Sequence, residues 1–284
     1  MRRSIRLKEW GVNQNLVKVP AEEYLALRPN LEKKEYFLNT DSQGFIVSNE
    51  CLKNLEQSVF FLGDSFVESM FVSEGKRFTD LCETYFNEKF GFSCRNAGYS
   101  GATSLHLFNS FLNKIVPFKP KILFFILPSN DALSLANKNL YWTNTKTLSP
   151  IIPQQFGVEN APILNNRESI RAMIRSIHET CVSFRINVVF CTFPHRTTVF
   201  GDSFTRKTYK SKSNFNSYVE RRKIANDILR GYCSRRNAPF IDLELIMEDF
   251  EAYSVDDVHL DEKGSQKVSQ TILSWCEKNE KSLF

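Results

Sequence analysis

Lys121-Ile-Leu-Phe-Phe-Ile-Leu127 carries one charge, at its first position, and no polar side chain after it. A strand with one face in water alternates apolar and polar residues, so an unbroken apolar run of this length reads as a strand buried on both faces. Four further short runs read as strands: Ser58-Val-Phe-Phe-Leu62 ending at Gly63, Phe92 to Ala97 closed by Gly98, Ile186 to Thr192, and Pro239 to Leu243. Between them the spacing turns helical. Lys76 to Phe90 puts Phe78, Leu81, Cys82, Tyr85 and Phe86 on one face, and Thr103–Ile115, Arg167–Phe184, Asn214–Arg235 and Glu262 to about Lys278 also read as helices. Strands buried on both sides and alternating with helices predict an α/β fold, three-layered as α/β/α around a central parallel sheet of about five strands.

Composition agrees with a packed domain. The 284 residues are 42% hydrophobic and 24% charged, near the globular average, which excludes a disordered or fibrous chain. No apolar stretch reaches the ~18 residues of a membrane span. The basic start, Met1-Arg-Arg-Ser-Ile-Arg-Leu-Lys8, runs into Glu9 and Trp10 without the apolar centre of a secretory signal. Cys51, Cys82, Cys94, Cys181, Cys191, Cys233 and Cys276 never form Cys-x-x-Cys, and no histidine stands at metal spacing from a cysteine or another histidine. Neither a disulfide framework, a metal site nor a cofactor is expected, and a reducing, cytoplasmic setting fits the free thiols.

The net charge of +5 is uneven: Arg196 to Phe240 holds eleven basic residues against three acidic ones, a local +8. A solvated helix face is the preferred reading of that stretch. Only Tyr209, Phe215 and Tyr218 interleave with it, too few aromatics for nucleic-acid recognition.

In a parallel sheet covered by helices, ligands sit beyond the carboxyl ends of the strands. Those positions hold Gly63-Asp64-Ser65, Asn96-Ala97-Gly98 and Ser129-Asn130-Asp131, and near the C-terminus stands Asp256-Asp257-Val258-His259. Together they supply a hydroxyl, a backbone N–H without a side chain, an amide, and an Asp/His pair, the parts that acyl transfer requires.

These residues resemble the SGNH (GDSL-like) hydrolase superfamily. The blocks are Phe61-Leu-Gly-Asp-Ser-Phe-Val67, Arg95-Asn-Ala-Gly-Tyr-Ser-Gly101, Ser129-Asn-Asp131 and Asp256-x-x-His259, in the family's order, and the likeness spans about residues 58 to 275. Tyr36-Phe-Leu-Asn-Thr-Asp-Ser-Gln-Gly-Phe45 is similar to the lead-in of bacterial members linked to surface polysaccharides. The resemblance implies a flavodoxin-like SGNH hydrolase fold, with residues 1–50 as an extension packing on a catalytic domain of residues 51–284. It implies Ser65 as nucleophile, His259 as general base and Asp256 as its orienting carboxylate. The Ser65 and Gly98 N–H groups and the Asn130 amide would form the oxyanion hole. The family's third block opens with glycine where this chain has Pro128, which keeps a turn but lacks the N–H. The family's weaker block between the Asn and His blocks has no clear counterpart.

Each residue also has an ordinary structural reading: Ser65 as a helix cap, Asn130 as a cap or turn residue, Gly98 as a turn after a strand, His259 as a surface histidine. The second Gly-Asp-Ser, Gly201-Asp202-Ser203, reads as a loop turn, and Asp64 as a structural carboxylate bonding nearby N–H groups. Asp257 competes with Asp256 for His259, and three-residue spacing favours Asp256. Cys191, inside an apolar strand, is expected to be inert. His195 and Arg196 closely follow a strand and are candidate substrate-binding residues at the same rim. The loop from Tyr141 to Asn166 and the basic stretch after His195 together suggest an anionic or nucleotide-linked sugar as acceptor, held partly by Arg196, Arg206 or Lys207. The function implied is a serine esterase acting on a carbohydrate or small ester. An acyltransferase using the same triad and an idle binding module are the alternatives. A flavodoxin-like nucleotide binder is disfavoured by the carboxylate of Asp64, and an α/β-hydrolase by the absence of Gly-x-Ser-x-Gly. Acyl group, acceptor and oligomeric state have no signature in the sequence.

Overall fold

Phe124 and Phe125 are consecutive on one strand and therefore face opposite ways. Phe124 stacks on Phe61 with 4.9 Å between ring centroids and lies 6.3 Å from Phe86. Phe125 meets Phe190, which packs in turn against His178 and Tyr232. Phe86 belongs to one helix group and His178 and Tyr232 to another, so the sheet is covered on both sides: three layers, α/β/α, as the unbroken apolar run requires.

The computed structural model describes residues 2–48, 58–137, 139–153, 165–198 and 200–283. Its strands are β1 (Ser4–Ile5), β2 (Asn15–Lys18), β3 (Tyr36–Thr40), β4 (Ile46–Val47), β5 (Ser58–Gly63), β6 (Ser93–Gly98), β7 (Ile122–Ile126), β8 (Ile151–Ile152), β9 (Asn187–Cys191) and β10 (Phe240–Ile241). Eight of them form one sheet in the order β10-β9-β7-β5-β6-β4-β3-β2, while β1 pairs with β8 apart from it. The stretch from β10 to β6 is parallel, and β4, β3 and β2 are antiparallel. The five expected strands are thus the parallel part, and residues 15–47 add three more. Tyr36 and Leu38 of β3 are buried while Phe37 between them is 40% exposed, the alternation of a strand with one wet face. The residue 50/51 boundary lies outside the described residues; the strands before it continue the same sheet, through Ile46 opposite Asn96.

The helices are α1 (Glu22–Leu25), α2 (Ser65–Glu68), α3 (Phe78–Phe90), α4 (Ser104–Ser110), α5 (Asn130–Ser134), α6 (Asn166–Phe184), α7 (Ser203–Thr208), α8 (Lys212–Arg236), α9 (Leu243–Ile246), α10 (Glu262–Lys278) and α11 (Glu280–Leu283). Helix α3 packs with α10, and α6 packs with α4 and α8. The helix expected over Thr103–Ile115 loses its regular ladder after Ser110. A π turn over Phe111–Ile115 and a 3-10 turn over Val116–Phe118 follow, around Pro117, which has no N–H to donate. The second Gly-Asp-Ser is a helix start rather than a plain turn: Asp202 caps α7 by accepting from Thr205 N at 2.7 Å. Of the long loop expected from Tyr141 to Asn166, residues 154–164 lie outside the described residues; Tyr141 at its start is buried, its hydroxyl donating to Asp131 at 2.8 Å. The basic stretch is partly neutralised within the fold, since Arg196, Arg222, Arg230 and Arg236 pair with Asp202, Asp257, Asp242 and Glu179 respectively. No described helix is long and apolar enough to cross a membrane.

Candidate active site

Strand β5 ends at Gly63, and the chain turns at once into α2, with Asp64 as N-cap and Ser65 as first helical residue. Asp64 is fully buried and accepts from Phe66 N at 3.1 Å, Ser129 Oγ at 2.7 Å and Asn130 Nδ2 at 2.9 Å. It therefore ties the end of β5 to the start of α5, and burial pushes its carboxyl above the usual range. Ser65 is left at the rim with its hydroxyl free to serve another partner.

That partner arrives from far along the chain. Ser65 Oγ donates to His259 Nε2 at 2.8 Å, and His259 Nδ1 donates to both oxygens of Asp256 at 2.9 Å. Asp256 also accepts the Val258 and His259 backbone N–H groups at 3.1 and 2.9 Å, so the loop that carries the imidazole is folded around its own carboxylate. A fourth donor comes from the N-terminal segment: Arg28 Nε, 3.1 Å from Asp256 Oδ2, its guanidinium 3.5 Å from the Tyr24 ring centroid. Burial raises the Asp256 carboxyl, but His259 and these donors outweigh it and hold it well below the ordinary range. For His259 burial opposes the charge, and the Asp256 carboxylate more than offsets it, so the imidazole is pushed up to about 9. Asp257 does not compete, because its carboxylate is held by Tyr209 and Arg222. A hydroxyl, an imidazole and a buried carboxylate joined in this order can deprotonate the hydroxyl and return the proton later.

Two clefts flank the hydroxyl. The larger, about 440 Å³, is lined by Lys8, Trp10, Tyr24, Glu68, Tyr99 and Ser100 besides Ser65 and His259. The smaller, about 270 Å³, is lined by Ser129, Asn130, Leu133, Tyr209 and Tyr218 on the other side of the same pair. Among the described residues no group of three or more His, Cys, Asp or Glu side chains is placed to hold a metal ion.

A model of the GDSL-like lipase/acylhydrolase family matches residues 61–267. The chain belongs to that family. A search of curated proteins gives no match. Among solved structures this GDSL-like hydrolase is similar to an acetyl xylan esterase, AlAXEase, at 16% identity and TM-score 0.53, over 76% of this chain and 98% of that one. A catalytic mutant of an acetylxylan esterase from Geobacillus stearothermophilus matches at 14% identity and TM-score 0.53, over 81% and 95% of the two chains. A member of the lipolytic G-D-S-L family from Veillonella parvula matches at 14% and 0.51, over 77% and 97%. At these identities the likeness is one of fold. The family itself places the protein among hydrolases acting on ester bonds.

Not every residue singled out in the sequence of this GDSL-like hydrolase lies where the chemistry would need it. Gly98 N–H donates to the Asn96 carboxamide at 2.8 Å and is not available to an oxyanion. The same amide donates to Val67 O at 2.8 Å, and a Cβ on Gly98 would stand 2.2 Å from Glu68 N. The missing side chain thus admits the backbone of α2, not a substrate. Asn130 does line the smaller cleft, with one of its two amide protons engaged by Asp64; Pro128 leaves the α5 start intact, since its carbonyl accepts Asp131 N at 3.0 Å. His195 is only 2% exposed and bonds to Glu244 at 2.8 Å and to the Arg196 carbonyl at 3.1 Å, so it faces the interior rather than the rim. Arg196 is likewise buried, paired with Asp202 and with its N–H on the Asp257 carbonyl at 3.0 Å. Neither lines the clefts beside Ser65, and both are withdrawn as substrate-binding residues. Arg206 and Lys207 are exposed on α7 and line neither cleft.

Nothing in the sequence points to Arg28, 228 residues from the carboxylate it touches. Nor does the sequence reading single out Glu68. It sits one helical turn after Ser65, almost fully buried, accepting from Ser100 N at 3.0 Å and from the Ser100 hydroxyl. A carboxylate at that spacing from the nucleophile, among Phe66 and Val67, was the available clue.

Proposed function

We propose that this GDSL-like hydrolase is a serine esterase that removes a small acyl group, such as acetyl, from a carbohydrate by way of an acyl-enzyme. The observation that carries the reading is the continuous hydrogen-bonded line from Ser65 Oγ through His259 to Asp256. Ser65 Oγ attacks the ester carbonyl as His259 Nε2 takes its proton, and Asp256 stabilises the imidazolium that results. The tetrahedral oxyanion meets the Ser65 N–H and the second amide proton of Asn130. Collapse breaks the C–O bond, His259 protonates the departing alcohol, and a water activated by the same imidazole then frees the acid and Ser65. The aromatic walls of the larger cleft, Trp10, Tyr24 and Tyr99, suit the apolar faces of a sugar, and the acetyl xylan esterases among the structural neighbours support an acetyl group.

A serine-directed fluorophosphonate tests the nucleophile. Peptide mapping should find the label on Ser65 and none on Ser203, and release of acetate from acetylated xylo-oligosaccharides should vanish in Ser65→Ala. Label on Ser203, or undiminished acetate release in the variant, overturns the assignment.

A further inference from the structure

Lys8 is 6% exposed, an unusual state for a lysine; its carbonyl accepts from Ser110 Oγ at 3.5 Å, but its ammonium makes no hydrogen bond or ion pair with any described residue. Its ammonium does not lie in the apolar core. Lys8 lines the larger cleft together with Ser65 and His259, and a Cβ added to Gly101 would come within 3.2 Å of Lys8 Nζ. The Tyr99 ring centroid is 5.6 Å away. Among the described residues Glu68 is the carboxylate whose charge is felt at Lys8, but its oxygens are engaged by Ser100 and burial raises its carboxyl above the ordinary range. Burial and the nearby Arg6 lower the Lys8 ammonium to about 8, the behaviour of a cation with no committed counter-ion. Lys18 adds a second, exposed cation to the same wall.

A buried, unpaired ammonium is costly, and a ligand anion is the partner that removes the cost. We infer that Lys8 is the anchor for an anionic group, a carboxylate or a phosphate, carried by the same sugar unit as the ester that Ser65 attacks. The inference rests on the esterase reading and deepens it, naming the substrate class. It also relocates the anionic preference that the sequence attached to Arg196, Arg206 or Lys207 to a cation inside the cleft. A cleft of about 440 Å³ holds a ligand of ordinary small-molecule size, so the ester and the anion fit within one molecule.

A matched set of substrates tests this: mono-O-acetyl glucose, mono-O-acetyl glucuronate and mono-O-acetyl glucose 6-phosphate, each with the wild type, Lys8→Met and Lys8→Arg. At low salt the wild type should prefer at least one anionic ester over the neutral one by about ten-fold or more in kcat/KM. Whichever anionic ester leads identifies the anion as carboxylate or phosphate. The preference should fall close to unity in Lys8→Met, survive in large part in Lys8→Arg, and weaken as salt is raised. An equal rate on all three esters in the wild type, or a preference unchanged in Lys8→Met, overturns the inference. If the wild type cleaves none of them, the sugar-esterase reading fails, and calorimetric binding of free glucuronate and inorganic phosphate, with glucose as the neutral control, decides the Lys8 site by itself. Anion binding lost in Lys8→Met upholds the site, and no binding beyond that of glucose rejects it.

Discussion

At the scale of single residues, the imidazole of His259 sets the conditions under which Ser65 can act. Protonated, it has no lone pair for the Ser65 proton, so kcat/KM should rise with pH through an apparent pKa near 9, well above the ~6.5 of free imidazole. Initial rates on a nitrophenyl ester between about pH 5 and 10 check this, and a limb near ~6.5 would contradict it. Asp256→Asn removes the charge that raises the imidazole, so the limb should move down while the rate falls by a factor on the order of 10³–10⁴. The same pair leaves a mark on stability. Because His259 is more basic folded than unfolded, its contribution is full below ~6.5 and is lost as pH rises through about 9. Asp256, held low, contributes above its unfolded value of ~3.9 and loses that as pH falls towards its folded one. The urea midpoint of the wild type should therefore decline between about pH 6.5 and 10, and His259→Gln should flatten that decline.

At the scale of elements, the site depends on how closely α2 lies against β6. Gly98→Ala places a methyl group 2.2 Å from Glu68 N and 2.6 Å from the Val67 carbonyl carbon, both backbone atoms that yield only if the helix moves. The expected loss is about 1–3 kcal/mol in urea denaturation, with activity falling further because Ser65 is carried by that helix. Arg28 acts through the N-terminal segment. Arg28→Met should lower kcat several-fold with KM little changed. It should also shift the pH limb upward, since the full charge of Asp256 then falls on His259. Much of this architecture was legible: Ser65 and Asn130 lie just past strand ends because the apolar runs named the strands, and the spacing of Asp256 to His259 suits one loop. Gly98 departs from its expected role because a glycine's missing side chain admits a helix as readily as a substrate, and the sequence shows only the absence. His195 follows β9 as expected, yet Glu244, on a helix 49 positions later, turns it inward. The antiparallel strands β2 and β4 span only four and two residues, too few alternating positions to stand out in the sequence, while the alternation of β3 over Tyr36–Thr40 is there to be read.

At the scale of the whole molecule, one core runs through both faces of the sheet, and Cys82, Cys94, Cys181, Cys191, Cys233 and Cys276 are all buried. Burial pushes the Cys181 and Cys276 thiols up to about 12, so these groups react only when the structure opens. Mass-spectrometric mapping of thiol labelling should show these six reacting slowly and together, at a rate that follows unfolding in urea. The pairings that complete the site also join distant parts of the chain, 194 residues between Ser65 and His259 and 228 between Arg28 and Asp256. On a ribosome adding 5–20 residues per second, the nucleophile is therefore made roughly 10–40 s before its base. Throughout that interval the nascent chain carries an unactivated serine beside a half-built cleft, so it cannot turn on the esters around it. A message cut short anywhere before the codon for His259 yields a product that is inert, however much of the sheet it folds.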